Sequence, residues 1–221
     1  MISLVTGASG FIGSNLVDYL IEQGHQVIAV DNESANNENF YWRNDTVNVK
    51  ADVADYNLMK DAIKGVDYVF HLAAESRLQP AIENPINAVH KNCVGTTVML
   101  QCAREAGVKR FVYSSTSSGY GFNEPPNEET QRDDCLNPYS VSKVSGEKLC
   151  SMYTKLFDLK TVIFRYFNVY GERSPLRGQY APVIGIFLRQ RGDSESLTIV
   201  GDGEQRRDFT HVSDVVQANI L

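Results

Sequence analysis

The 221-residue chain carries 21 Lys+Arg against 27 Asp+Glu, a formal net charge of −6. That balance argues against a general nucleic-acid binder, which needs a basic face. Hydrophobic residues make up 43% and charged residues 22%, a globular composition rather than a disordered one.

No stretch approaches the roughly 20 apolar residues that span a bilayer. The N-terminus, MISLVTGASGFIG, has neither a basic leader nor a cleavage site. A soluble, cytoplasmic protein is expected. Cys93, Cys102, Cys135 and Cys150 form no CxxC pair, so isolated thiols are expected, with no metal site and no disulfide.

Strand and helix alternate from the start. Residues 2–6 read as a short buried strand followed by a glycine turn. Ile12, Leu16, Val17, Leu20 and Ile21 recur at helical spacing and predict a helix over 12–23, with Gly24 as its stop. Strands are expected at 26–30, 47–51 and 66–72, with Asp55 placed to cap the helix after the third. The Asn-rich stretch 32–44 reads as a loop. A helix over 84–106 precedes a fifth strand at 110–114, and one over 139–157 precedes a sixth at 161–165. After Arg165 the rhythm changes. Residues 171–182 are rich in Gly, Pro, Arg and Tyr, then a helix over 183–190, a strand over 197–200, a glycine turn and an apolar-faced helix from 215 follow.

Such alternation predicts an α/β fold, a doubly wound parallel sheet of the Rossmann type. Ligands of such sheets sit at the carboxyl ends of the strands. Gly7, Asp31, Asp52, His71, Ser114, Tyr139 and Asn168 lie at or just beyond those ends.

Two constellations carry chemistry. Gly7, Gly10 and Gly13 stand in GxxGxxG spacing between a strand and a helix. Glycine lets the backbone approach a pyrophosphate, and the helix start offers free N–H groups and a positive dipole end. Asp31, at the end of the next strand, can accept the adenosine ribose hydroxyls and repels a 2′-phosphate, which favours NAD over NADP. The second constellation is Tyr139 and Lys143, which share a helix face at i and i+4. A cation there, with a nicotinium ring, is expected to lower the phenol's pKa and make phenolate available as a base. Hydroxyls at Ser114, Ser115 and Thr116 end the strand before it, and Thr116 can relay the same proton.

Together GASGFIG (7–13), VDN (30–32), Asp52-Val53, HLAA (71–74), YSST (113–116), NPYSVSK (137–143), RYFNVYG (165–171) and GDGEQRRDFTHVSDV (201–215) resemble the extended short-chain dehydrogenase/reductase family, in its nucleotide-sugar epimerase/dehydratase branch. The resemblance covers nearly the whole chain. It implies that Phe11 and Ile12 contact the pyrophosphate, Asp31 and Asn32 the adenosine ribose, and Asp52 and Val53 the adenine. Leu72, Ala73 and Ala74 then line the dinucleotide, Asn92 supports that strand end, and Phe167 packs by the nicotinamide. Asn168 and Arg207 are implied to hold the substrate's diphosphate. His71 is read as structural.

The implied reaction is 4-epimerisation of a UDP-sugar through a transient 4-keto intermediate. Family dehydratases place an acid and a base beside the threonine, where this chain has Ser117 and Ser118. A 4,6-dehydratase, a decarboxylase, a reductase, or a truncated non-catalytic NAD-binding protein remain alternatives. The resemblance also implies a homodimer through the helices around 88–106 and 139–156. Residues 1–168 are expected to form the NAD-binding domain and 169–221 a partial nucleotide-sugar-binding region. Family chains continue past 215, so the apolar face of the last helix is expected to lack partners.

Overall fold

The computed structural model describes residues 1–35, 40–177 and 181–221. Six parallel strands form one sheet: β1 (Ile2–Thr6), β2 (Gln26–Asp31), β3 (Val47–Lys50), β4 (Tyr68–His71), β5 (Arg110–Thr116) and β6 (Thr161–Tyr166), in the order β3-β2-β1-β4-β5-β6. The order reverses direction at β1, so a crevice opens between the ends of β1 and β4. The register places Thr6 beside both Val30 and His71, and Thr116 beside Tyr166. The carboxyl ends therefore form one continuous rim.

Side chains alternate across each strand, and two cores result. Leu4 joins one core with Met99, Leu100, Phe111 and Tyr113. Val5 joins the other with Leu16, Leu20 and Phe70. Helices α2 (Tyr56–Ala62), α5 (Gly95–Ala106) and α6 (Pro138–Phe157) cover the first face, and α1 (Phe11–Glu22) covers the second. Asp55 caps α2 by accepting from the Leu58 amide at 3.1 Å. Asn137 and Ser140 close a capping box at the start of α6.

The helix expected over 84–106 is one rod of three parts: α4 (Pro85–Val89), a π-helical turn (His90–Val94) and α5. A short α3 (Leu78–Glu83) and a 3₁₀ turn (Ser117–Tyr120) were not foreseen from the sequence. Beyond β6 lie the paired strands β7 (Val169–Tyr170) and β8 (Thr210–His211), with α7 (Val183–Gly192) and α8 (Val212–Ile220).

Two expectations are corrected. Residues 197–200 form no strand; Leu197, Ile199 and Val200 are exposed, and no neighbouring strand completes their backbone ladder among the described residues. The apolar face of α8 is not bare. Val212 and Val216 are buried in the same core as Leu16 and Leu20, because α8 packs on α1. The described part of 32–44 is irregular up to its final turn, while 36–39 lie outside the described residues. All four cysteines are free.

Candidate active site

A cleft of about 520 Å³ follows the rim, the size of a small-molecule or cofactor site. Its first wall is the glycine turn and the start of α1. Gly10 is the N-cap, no side chain among the described residues caps the helix, and its first turn holds no acidic residue. The leading amides are therefore left for an external anion. Glycine is required here by close approach. A Cβ on Gly13 would stand 2.0 Å from the Gly7 carbonyl oxygen, and Gly7, at φ +69°, would clash with Ala73. The turn thus sits flat against the cleft floor, a cradle that fits a pyrophosphate.

Asp31 follows directly. It is 9% exposed and its carboxylate accepts from the Ser9 amide at 3.1 Å and the Glu33 amide at 2.8 Å. It joins the glycine turn to the segment after β2. Asn32 donates to Asp52 at 2.9 Å, so the two expected adenosine contacts hold each other. Asp52 and Val53 line the same end of the cleft.

The floor is set by Thr6. Its hydroxyl meets His71 Nδ1 at 2.8 Å and accepts from the Leu72 and Ala73 amides, each at 3.1 Å. The other ring nitrogen of His71 meets the Thr96 hydroxyl at 3.1 Å. Burial, with Lys143 nearby, pushes the His71 pKa down to about 3. A neutral imidazole with both nitrogens occupied is a structural strut, in keeping with its sequence reading.

The far end of the cleft gathers Ser114, Thr116, Tyr139 and Lys143. Thr116 takes a hydrogen bond from the Ser118 amide at 3.1 Å and faces the Tyr139 phenol. Lys143 is 3% exposed, and its Nζ lies 4.3 Å from the centre of the Tyr113 ring. Burial brings the Lys143 pKa down to about 8, offset in part by Cys150, Glu147 and Cys93. Tyr139 was expected to acidify beside Lys143 together with a nicotinium ring. Desolvation pushes its phenol up, the Thr116 contact opposes this, and the Glu75 carboxylate adds to it. In the chain by itself, removal of the ring from water is the largest influence on the phenol.

Most sequence-predicted residues share this cleft: Gly7, Gly10, Phe11, Ile12 and Gly13 on the first wall, Leu72, Ala73 and Ala74 on the floor, and Asn168 at the far rim. Three predicted residues do not line it. Asn92 is buried behind the wall, where it accepts from the Glu75 amide at 2.7 Å and donates to the Glu75 carbonyl at 3.0 Å. Phe167 stacks on Tyr120 at 6.0 Å instead, since strand alternation turns it away from the side Tyr166 faces. Arg207 is exposed. It comes near the site through its neighbour, for Asn168 donates to the Asp208 carbonyl at 2.8 Å. Asn168 adopts φ +31°, a left-handed conformation that asparagine tolerates.

The sequence reading missed Arg77, Lys91 and Tyr166, which also line the cleft. Tyr166 had a usable signal, as the last residue of β6. Lys91 had none, because its direction depends on the π turn.

The family model described as "NAD dependent epimerase/dehydratase family" matches residues 3–221. A Methanocaldococcus jannaschii protein named putative UDP-glucose 4-epimerase is 39% identical, over 99% of this chain and 72% of its own length. A Bacillus cytotoxicus UDP-N-acetyl-alpha-D-glucosaminuronate decarboxylase is 38% identical, over 98% of this chain and 69% of its own length. The crystal structure of Thermotoga maritima UDP-glucose 4-epimerase with UDP-glucose superposes with a TM-score of 0.94 at 36% identity, covering 100% of this chain and 72% of that one.

Proposed function

The chain belongs to the NAD-dependent epimerase/dehydratase family, and we propose that within it the chain catalyses 4-epimerisation of a UDP-sugar. The observation that carries this reading is the meeting of Thr116, Tyr139 and Lys143 at one end of a cleft whose other end is a diphosphate cradle.

NAD, when bound, supplies the acceptor and later the donor of a hydride at the sugar carbon, and a positive ring beside the phenol. The chain's residues handle the matching proton. Tyr139 takes it from the sugar 4-hydroxyl as phenolate and returns it once the 4-keto sugar has turned over. Thr116 hydrogen-bonds the phenol and the sugar oxygen. Lys143 as ammonium holds the nicotinamide ribose and opposes the desolvation that keeps Tyr139 neutral. Asn168 and Arg207 hold the sugar nucleotide's diphosphate, with 169–221 as the start of the sugar-binding region.

Competing 4,6-dehydration needs a general acid and a general base at the sugar's C5 and C6. After Thr116 come Ser117 and Ser118, whose hydroxyls serve neither role near neutral pH. Glu75 is turned toward Lys91, 3.8 Å away. These features favour the epimerase over the dehydratase.

Proton NMR of the chain with NAD⁺ and either UDP-glucose or UDP-N-acetylglucosamine tests the reaction. A galacto-configured anomeric signal is expected. A 4-keto-6-deoxy product or net NADH would overturn it. A homodimer is part of the proposal. Val89 and Val94 on the rod before α5, and Val141, Met152 and Leu156 on α6, are exposed, and light scattering at the dimer mass is the expected result.

A further inference from the structure

Lys91 stands out among the residues the proposed reaction does not use. It lies in the π-helical turn His90–Val94, a helix irregularity often found at functional sites. The next residue, Asn92, is fixed on both sides by the Glu75 backbone and by Ser142 Oγ at 2.9 Å. Lys91 is therefore held in one direction. It lines the cleft, and its side chain is 18% exposed.

Its ammonium has two partners across the mouth. Ser34 Oγ accepts at 3.2 Å, and Glu75 Oε2 lies at 3.8 Å. The first is a neutral acceptor. The second is beyond hydrogen-bond distance. Ser34 belongs to the segment that Asp31 ties to the glycine turn through the Ser9 and Glu33 amides. So the ammonium sits at the lip of the cleft, against the segment that Asp31 ties to the glycine turn. The other lysine of the cleft, Lys143, is buried at the catalytic end. A dinucleotide diphosphate brings two negative charges to a cradle built from backbone amides.

We infer that Lys91 is a cofactor-binding residue that supplies a side-chain cation to the dinucleotide's diphosphate, exchanging its loose contacts with Ser34 and Glu75 for a phosphate oxygen. The inference rests on the cofactor reading above and adds a residue to it. An ion pair with a phosphate oxygen replaces a hydrogen bond to a neutral hydroxyl, so the gain appears as affinity and as sensitivity to salt.

Calorimetry of NAD⁺ and ADP-ribose with the parent chain, Lys91→Met and Lys91→Arg, at low and at physiological ionic strength, tests it. Lys91→Met keeps the apolar stem. It is expected to bind both ligands roughly tenfold more weakly at low salt, with a flatter salt dependence and an unchanged Tm. Lys91→Arg is expected to restore affinity and salt dependence. Parent binding with Lys91→Met unchanged in affinity overturns the role of Lys91 alone. Weakened binding with an unchanged salt dependence overturns it too, since the loss is then structural. Absence of binding by the parent chain overturns the cofactor reading and this inference together.

Discussion

Glu147 and Arg165 form a two-point ion pair behind the catalytic end of the cleft. Arg165 Nε donates to one carboxylate oxygen at 2.9 Å, and Nη2 donates to the other at 2.6 Å. Glu147 lies one helical turn beyond Lys143 and two beyond Tyr139, so three successive turns of α6 carry functional groups. Glu147 also accepts from Ser115 Oγ, next to Thr116. The pair therefore fixes α6 against both β5 and β6.

Breaking that pair is expected to be costly. Glu147 is 7% exposed, and its loss leaves the Arg165 guanidinium, 13% exposed, with Asp133 at 2.6 Å and the Tyr120 ring at 4.7 Å as remaining partners. Glu147→Gln is expected to destabilise the chain by about 3 kcal/mol in urea denaturation, at the low end of the range for a broken buried pair. Replacement of both partners by apolar residues of similar volume is expected to lose less than the single change. A double variant as unstable as the sum of its singles would refute the coupling.

Tyr139→Phe removes the phenolic oxygen while keeping the ring. Turnover of a UDP-sugar is expected to fall at least roughly 10²-fold, with NAD⁺ affinity by calorimetry within a few-fold of the parent. Lost binding with retained turnover would reverse the assigned role.

Asp31 is the proposed acceptor for the adenosine ribose. Asp31→Ala removes that carboxylate and the bridge from the Ser9 and Glu33 amides. Weaker NAD⁺ binding and a smaller preference for NAD⁺ over NADP⁺ are expected in parallel titrations. Asp31→Asn keeps an acceptor oxygen without the charge, and isolates the electrostatic share. An unchanged NAD⁺/NADP⁺ ratio in both variants would exclude the ribose contact.

His71 makes the fold acid-sensitive. Its folded pKa is about 3 against 6.5 ordinarily, through burial first and Lys143 second. As pH falls below 6.5 the unfolded chain takes up a proton that the folded chain refuses until about pH 3. The stability contributed by the neutral ring is complete above 6.5 and drains away across that window, by up to about 1.4 kcal/mol per pH unit. Denaturation midpoints measured from pH 7 downward are expected to fall more steeply for the parent than for His71→Asn. Parallel profiles would place the acid sensitivity elsewhere.

Much of the site was legible in the chain itself. Gly7, Gly10 and Gly13 impose a turn that only unsubstituted backbone can make, and the apolar spacing from Ile12 to Ile21 imposes the helix that begins there. Strand–helix alternation implied the parallel sheet, and the strand ends pointed to Asp31, Thr116, Tyr139 and Asn168. These are short-range consequences of sterics and periodicity, and a linear reading can reach them.

Tertiary structure decided what depends on distant neighbours. Residues 197–200 have strand-like composition and no partner strand among the described residues, and they are irregular. Val212 and Val216 found cover on α1, more than 190 residues earlier in the chain. The π turn aimed Lys91 into the cleft. Tyr139 was expected to acidify beside Lys143 and a nicotinium ring; in the chain by itself desolvation is the first influence on both groups, driving the phenol up and the ammonium down. Spacing along a helix tells which side chains are neighbours; how much water surrounds them is set by every element that packs around the pair.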